Sequence, residues 1–332
     1  MTTATGVGSM PGDDADAYEE AVRVVLGEVP DLPFLPQLPG RGVEASTTGR
    51  TLAVVADLDA DLQPAGWRLT GSQGAPGADH RRARSQLARD LDVLEEHAQG
   101  WSGTVKVQVV GPWTLAATVE RPRGDRVLAD RGARRELAQA LAEGLRAHVY
   151  DVRRRLPDAR IVVQVDEHAL PAVLAGRVPT ASGFHRHRSV DAPAADAALG
   201  WVLGAVREAG ASSVAHCCEA DAPLRLLTGA GADGVSVDLD VLPAAGYDVL
   251  AELLESGRPV HLGVVPTTRP STELSEGTVA DRVLRFLDML GLDPATAPSL
   301  VVTPSCGLAG ADPAWAREAL RLAQRAASAV DG

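Results

Sequence analysis

Short apolar, β-branched runs bounded by glycine, proline or aspartate recur at residues 5–9, 32–35, 105–110, 161–165, 213–217, 235–238, 260–264 and 300–303, and each predicts a strand. Between them, apolar residues at helical spacing predict helices at 14–26, 79–97, 133–155, 194–208, 223–227, 248–254, 279–290 and 312–327, many opened by Asp or Pro. Eight strands alternating with helices predict an α/β protein, a single (β/α)8 TIM barrel in which residues 1–332 form one domain. Runs such as Ile161-Val162-Val163-Gln164-Val165 are almost continuously apolar, as expected of parallel strands covered by helices. Two connections that follow strands, 36–77 and 171–193, exceed the usual βα loop length. In a barrel such loops fall on the C-terminal face, where active sites are built.

Composition narrows the function classes. Lys plus Arg is 32 against 44 Asp plus Glu, a net charge of −12, which disfavours nonspecific nucleic-acid or anionic-membrane binding. The three cysteines, Cys217, Cys218 and Cys306, exclude a disulfide framework and suggest a reducing compartment. The N-terminus has neither a basic start nor an apolar signal core, and no apolar run approaches membrane-spanning length, so a cytoplasmic location is expected.

Candidate chemistry gathers at strand ends. Residues two apart on a strand share a face, so His216 and Cys218 point one way and Cys217 the other, toward the helices. Asp238 ends the next strand and Cys306 follows the last, so imidazole, two thiols and a carboxylate reach one mouth, a ligand set that suits zinc. Free cysteines acting only as small buried hydrophobes are the alternative. Gly8-Ser9, Gly111-Pro112-Trp113 and Asp166-Glu167 end other strands. Carboxylates there could hold an ammonium and turn amides a carboxylate, together an amino-acid site, although Asp166 could equally cap a helix. Gly229-Ala230-Gly231-Ala232-Asp233-Gly234 leads from helix to strand, the reverse of a dinucleotide loop, and reads as a helix stop. His185-Arg186-His187 reads as a solvated or substrate-facing loop, and Gln37-Leu38-Pro39-Gly40-Arg41 as a solvated turn.

Taken together, Gly8-Ser9-Met10-Pro11, Gln164-Val165-Asp166-Glu167, His216-Cys217-Cys218, Ala232-Asp233-Gly234-Val235-Ser236-Val237-Asp238 and Thr303-Pro304-Ser305-Cys306-Gly307-Leu308 resemble, in order and spacing, the catalytic barrel of cobalamin-independent methionine synthase. The resemblance implies zinc ligands at His216, Cys218 and Cys306, with Asp238 where the family has Glu. It implies a homocysteine site at Val7, Gly8, Ser9 and Asp166, with Trp113 a further substrate-binding candidate and Asp166 and Glu167 the candidate catalytic carboxylates. The implied activity is that of a zinc-dependent methyltransferase, similar to the 5-methyltetrahydropteroyltriglutamate-homocysteine S-methyltransferases of methionine biosynthesis. Its products and substrates would be methionine, homocysteine and a methyl donor.

Departures from the pattern bear on that donor. The family's full-length enzyme has two tandem barrels, of which this chain resembles the catalytic one. Its proton-transfer histidine has no counterpart in 263–268, and His261 lies near the opposite end of that strand. The donor is therefore a methylated folate or a methyl-corrinoid delivered by a partner protein, with the corrinoid favoured because it needs no acid there. His168, where the family has Pro, could take over a polar role or be a solvated side chain. Two other readings are a metal-free decarboxylase similar to uroporphyrinogen decarboxylase and a non-catalytic zinc- or thiol-binding relative. Metal content and turnover distinguish them.

Overall fold

The computed structural model describes residues 2–70, 76–296 and 299–330. In chain order the elements are β1 (Thr3–Ala4), α1 (Ala15–Glu28), α2 (Thr47–Val54), β2 (Ala60–Gln63), β3 (Gly66–Leu69), α3 (Ala78–His97), β4 (Thr104–Val110), α4 (Pro112–Thr118), α5 (Arg131–Arg155) and β5 (Arg160–Asp166). They continue with α6 (Leu170–Leu174), α7 (Ala192–Glu208), β6 (Ser212–His216), α8 (Leu224–Gly229), β7 (Gly234–Asp238), α9 (Ala244–Glu255), β8 (Val260–Val265), α10 (Glu276–Leu290), β9 (Leu300–Pro304) and α11 (Pro313–Val330). Several helices begin where an Asp or Ser side chain accepts an otherwise orphan amide: Asp14 from Ala17, Asp130 from Ala133, Asp191 from Ala194 and Ser275 from Thr278.

Seven strands form one parallel sheet in the order β1-β9-β8-β7-β6-β5-β4, curled in the manner of a TIM-like barrel. The expected eighth strand at 32–35 is reduced to isolated bridges, so the closed eight-stranded barrel is corrected to this seven-stranded sheet. Phe34 bridges Lys106 on β4, and Gln37 bridges Ser9 beyond β1, so the segment spans the two sheet edges. Pro33 and Pro36 explain why no ladder develops, since neither can donate a backbone hydrogen bond. The first strand is Thr3–Ala4 rather than 5–9, because the chain leaves the ladder at Gly6 and Gly8.

The long connection 36–77 holds α2 and an antiparallel β2-β3 hairpin, and its residues 71–75 lie outside the described part. The connection 171–193 takes in most of α6 and an antiparallel bridge between Pro179 and Arg186. Because the seven strands are parallel, Asp166, His216, Asp238 and Pro304 end them on one side, the side that carries the chemistry. Among the described residues no helix is long and apolar enough to cross a membrane.

Candidate metal and amino-acid site

Register builds the site. Asp166 at the end of β5 pairs with His216 at the end of β6, and His216 pairs with Ser236 on β7. Two residues past each of the first two ends come His168 and Cys218, and Cys306 follows β9 two residues after Pro304. One ligand atom from each of His168, His216, Cys218 and Cys306 lies within 4.8 Å of every other. Cys218 and Cys306 stand 3.2 Å apart at sulfur, and Cys306 Sγ is 3.5 Å from His168 Nε2 and 3.8 Å from His216 Nε2. Ser236 Oγ, 3.0 Å from His216 Nδ1, fixes the imidazole so that its other nitrogen faces the cluster.

His216, Cys218 and Cys306 thus converge as the sequence suggested, while the fourth place goes to His168 and not to Asp238. The Asp238 carboxylate accepts the Asp240 amide at 2.9 Å and is not part of the cluster. The Asp238 carboxylate is engaged at its own strand end, whereas His168 leaves β5 on the same face as Asp166. That parity, Asp166 to His168, was the available sequence signal for it. Cys217 is buried in the apolar core, on the opposite side of the chain from Cys218. Burial pushes its thiol up to about 12, so it stays protonated.

Electrostatics inside the cluster favour a thiolate. The hydrogen bond from Cys218 pulls the Cys306 pKa far below the ordinary thiol range against the effect of burial, and His168 and His216 add to the pull. Accepting that role leaves Cys218 pushed up, first by the bond to Cys306 and then by burial. Burial would lower His168, but its bond to Cys306 and the charge of Asp166 outweigh this and raise it to about 9.

Beside the cluster lies a cavity of about 170 Å³ lined by Val7, Gly8, Ser9, Asp166, His168 and Cys306, with Gln37, Thr47 and Gly307 completing it. The sequence singled out the first four, and it missed Gln37 and Thr47, which belong to the 36–77 connection. Gly307 is required by close approach, since a Cβ there would meet Ser9 Oγ at 2.0 Å. Asp166 is buried, which raises its pKa, and its Oδ1 accepts the Gln164 amide at 2.8 Å; it caps no helix.

Glu167 has turned away from this cavity. Its carboxylate accepts the Trp113 and Thr114 amides at 2.9 Å and the Thr114 hydroxyl at 2.7 Å, capping α4, and a Cβ on Gly111 would collide with it at 2.5 Å. Burial raises Glu167 to about 7 against those amide bonds. Trp113 is likewise not brought to the cavity: its indole N–H donates to the Ala195 carbonyl on α7 at 3.1 Å.

Other motifs resolve as structure. Arg41 and buried Arg50 both grip buried Asp90, so the 37–41 stretch is anchored by an ion pair and not a solvated turn. A larger cavity of about 980 Å³ next to it, between α1 and α3, holds none of the cluster residues. His187 is buried, with Nε2 3.3 Å from Asp125, and neither it nor His185 joins the cluster.

A solved B12-independent methionine synthase from Shewanella sp. W3-18-1, in complex with selenomethionine, is similar over 100% of this chain and 98% of its own, with a TM-score of 0.66 at 13% identity. Methylaspartate ammonia lyase from Clostridium tetanomorphum covers 99% of this chain and 59% of its own at 13% identity and a TM-score of 0.47, and carries no argument here. No curated protein is significantly similar in sequence. The family model described as the cobalamin-independent synthase catalytic domain matches residues 92–329, a span that takes in all four cluster residues. The chain therefore belongs to the cobalamin-independent methionine synthase family, as a catalytic domain of the methyltransferase type.

Proposed function

We propose that this chain, residues 1–332 acting as one unit, moves a methyl group from a methylated folate to the sulfur of homocysteine to give methionine, with zinc held by His168, His216, Cys218 and Cys306. The carrying observation is the convergence of two thiols and two imidazoles beside a cavity lined by Val7, Gly8, Ser9 and Asp166. The donor set fits zinc, which takes sulfur and imidazole ligands, and a catalytic zinc here would need one of the four places given over to the substrate sulfur. When bound, zinc supplies a Lewis acid that favours the deprotonated form of a neighbouring thiol.

The chain's own groups do the rest. Asp166 accepts the substrate ammonium, and the backbone of Gly8-Ser9 in the same cavity receives its carboxylate, so the thiol end is directed toward Cys306 and His168. Ser236 holds the His216 ring in place. Glu167 supports the site from behind by fixing α4. In the transfer the bond from the methyl carbon to the folate nitrogen breaks, the carbon-sulfur bond forms, and the thiol proton balances the charge left on the folate.

The corrinoid donor expected from the sequence finds no support, since the matching family is described as cobalamin-independent. The decarboxylase reading is likewise left without support by the family match and the four-residue cluster. Zinc-loaded protein incubated with homocysteine and either 5-methyltetrahydrofolate or methylcobalamin provides the test. Methionine from the folate is expected; methionine from methylcobalamin alone would overturn the donor, and none from either would overturn the reading. Asp166→Asn should weaken homocysteine binding by about 1.5–3 kcal/mol in calorimetry, the value of one charge-assisted hydrogen bond.

A further inference from the structure

The mechanism above gives no part to a buried cation of the sheet. Lys106 is the only lysine of the chain, lies on β4 and is fully buried. Its flanking residues Val105 and Val107 pack into the apolar core, while Lys106 turns into the lumen with its ammonium 5.4 Å from the centre of the Phe34 ring. Burial pushes its pKa down to about 7, with Asp166 opposing the shift. An ammonium in such a place is costly, and what it touches is specific.

Lys106 Nζ donates to the Val7 carbonyl at 2.9 Å and to Gln164 Oε1 at 2.7 Å. Gln164 Nε2 in turn donates to the same Val7 carbonyl at 2.8 Å and to Asp166 Oδ1 at 2.8 Å. An ammonium can only donate, so it selects which end of the Gln164 amide faces it. With Oε1 turned to Lys106, both amide hydrogens are directed at Val7 and Asp166. The opposite orientation would set Oε1 against a carbonyl and a carboxylate, both acceptors. Val7 and Asp166 both line the 170 Å³ cavity, one carried by the chain after β1 and the other by the end of β5.

We propose that Lys106 is a positioning residue that locks the Gln164 amide in one orientation, and through it aims Asp166 at the ammonium of thiols carrying an amino-acid end. The inference rests on the homocysteine reading of the cavity and deepens it. Lys106 is neither among the residues lining the cavity nor one of the four cluster residues.

The test compares L-homocysteine with 4-mercaptobutyrate, which has the same thiol and carboxylate but no ammonium, by calorimetry on zinc-loaded protein. The wild type should prefer homocysteine about tenfold or more, as loss of a charge-assisted hydrogen bond implies. In Lys106→Met and in Gln164→Leu that preference should fall to within about threefold, with zinc stoichiometry and 4-mercaptobutyrate affinity unchanged. The double variant should lose no more than either single one, because both act through one chain of hydrogen bonds. A purely structural role would weaken both thiols together. Full preference retained in a folded Lys106→Met, or in Gln164→Leu should the first not fold, overturns the proposal alone. No preference in the wild type overturns the homocysteine reading and this inference with it.

Discussion

The outer and inner faces of the same strands differ more than any two separate elements of this protein. Toward the helices, β4 presents Val105, Val107 and Val109, β5 Ile161, Val163 and Val165, and β8 Val260, Leu262 and Val264, all buried in one apolar core. Toward the lumen the same strands present Lys106, Gln108, Gln164, Asp166 and His261, and β6 and β7 add His216 and Ser236. Even the apolar lumen residues Val214 and Val301 are buried without joining the helix-side core. The outer face is interchangeable hydrophobic volume that drives the sheet under its helices. The inner face is a set of polar side chains whose value depends on which partners face them. Stability should therefore respond chiefly to the outer face and chemistry to the inner one.

The largest expected effect tests the inner face at its upper end. Cys218→Ser, Cys306→Ser or His168→Ala should lower zinc affinity by more than the roughly 10–100-fold that loss of an outer hydrogen-bond partner costs, while Cys217→Ser, on the other face, should keep zinc. Metal content after dialysis against a competing chelator decides it, and equal loss on changing Cys217 would break the two-face distinction.

Next in size, Leu262→Ala removes a fully buried outer side chain and should cost about 2–5 kcal/mol in denaturant unfolding without altering metal content. Zinc loss in parallel with stability would show that the faces are not separable.

Lys106→Met sharpens the comparison by reversing the usual sign. The folded pKa near 7 lies below the ordinary 10.5, so between these values the unfolded chain holds more protons and wild-type stability rises with pH. Below pH 7 the burial penalty is complete, and there the variant should be more stable than wild type by about 1–4 kcal/mol, with the gap closing toward pH 10. Unfolding curves at pH 6 and pH 9 read the difference; a constant gap would refute it.

The smallest effect is expected at Asp238→Ala, which removes a carboxylate that lies outside the cluster. Zinc affinity should change by less than about threefold, well under the change expected for a ligand.

His168 shows how far the sequence could be read and where it stopped. His216, Cys218 and Cys306 were legible because strand parity and strand ends are local properties, and a period of two assigns faces without a fold. His168 could be read only as a polar or a solvated side chain, because whether it or Asp238 reached the cluster depended on where the ends of β5 and β7 lie relative to the other strands. Trp113 and Glu167 were legible as strand-end residues but not as an indole lodged against α7 and a carboxylate capping α4, since those partners lie 82 and 54 positions away along the chain.

By itself the sequence determined the alternation of strands and helices, the sidedness of each strand and the ligand types available, because hydrophobic period and backbone chemistry act over a few residues. Tertiary structure alone decided that residues 33–37 only bridge the sheet edges, that His168 completes the cluster and that Lys106 donates to Gln164. Each of these depends on strand register and tilt across the sheet, set by packing of the whole core and not by any segment.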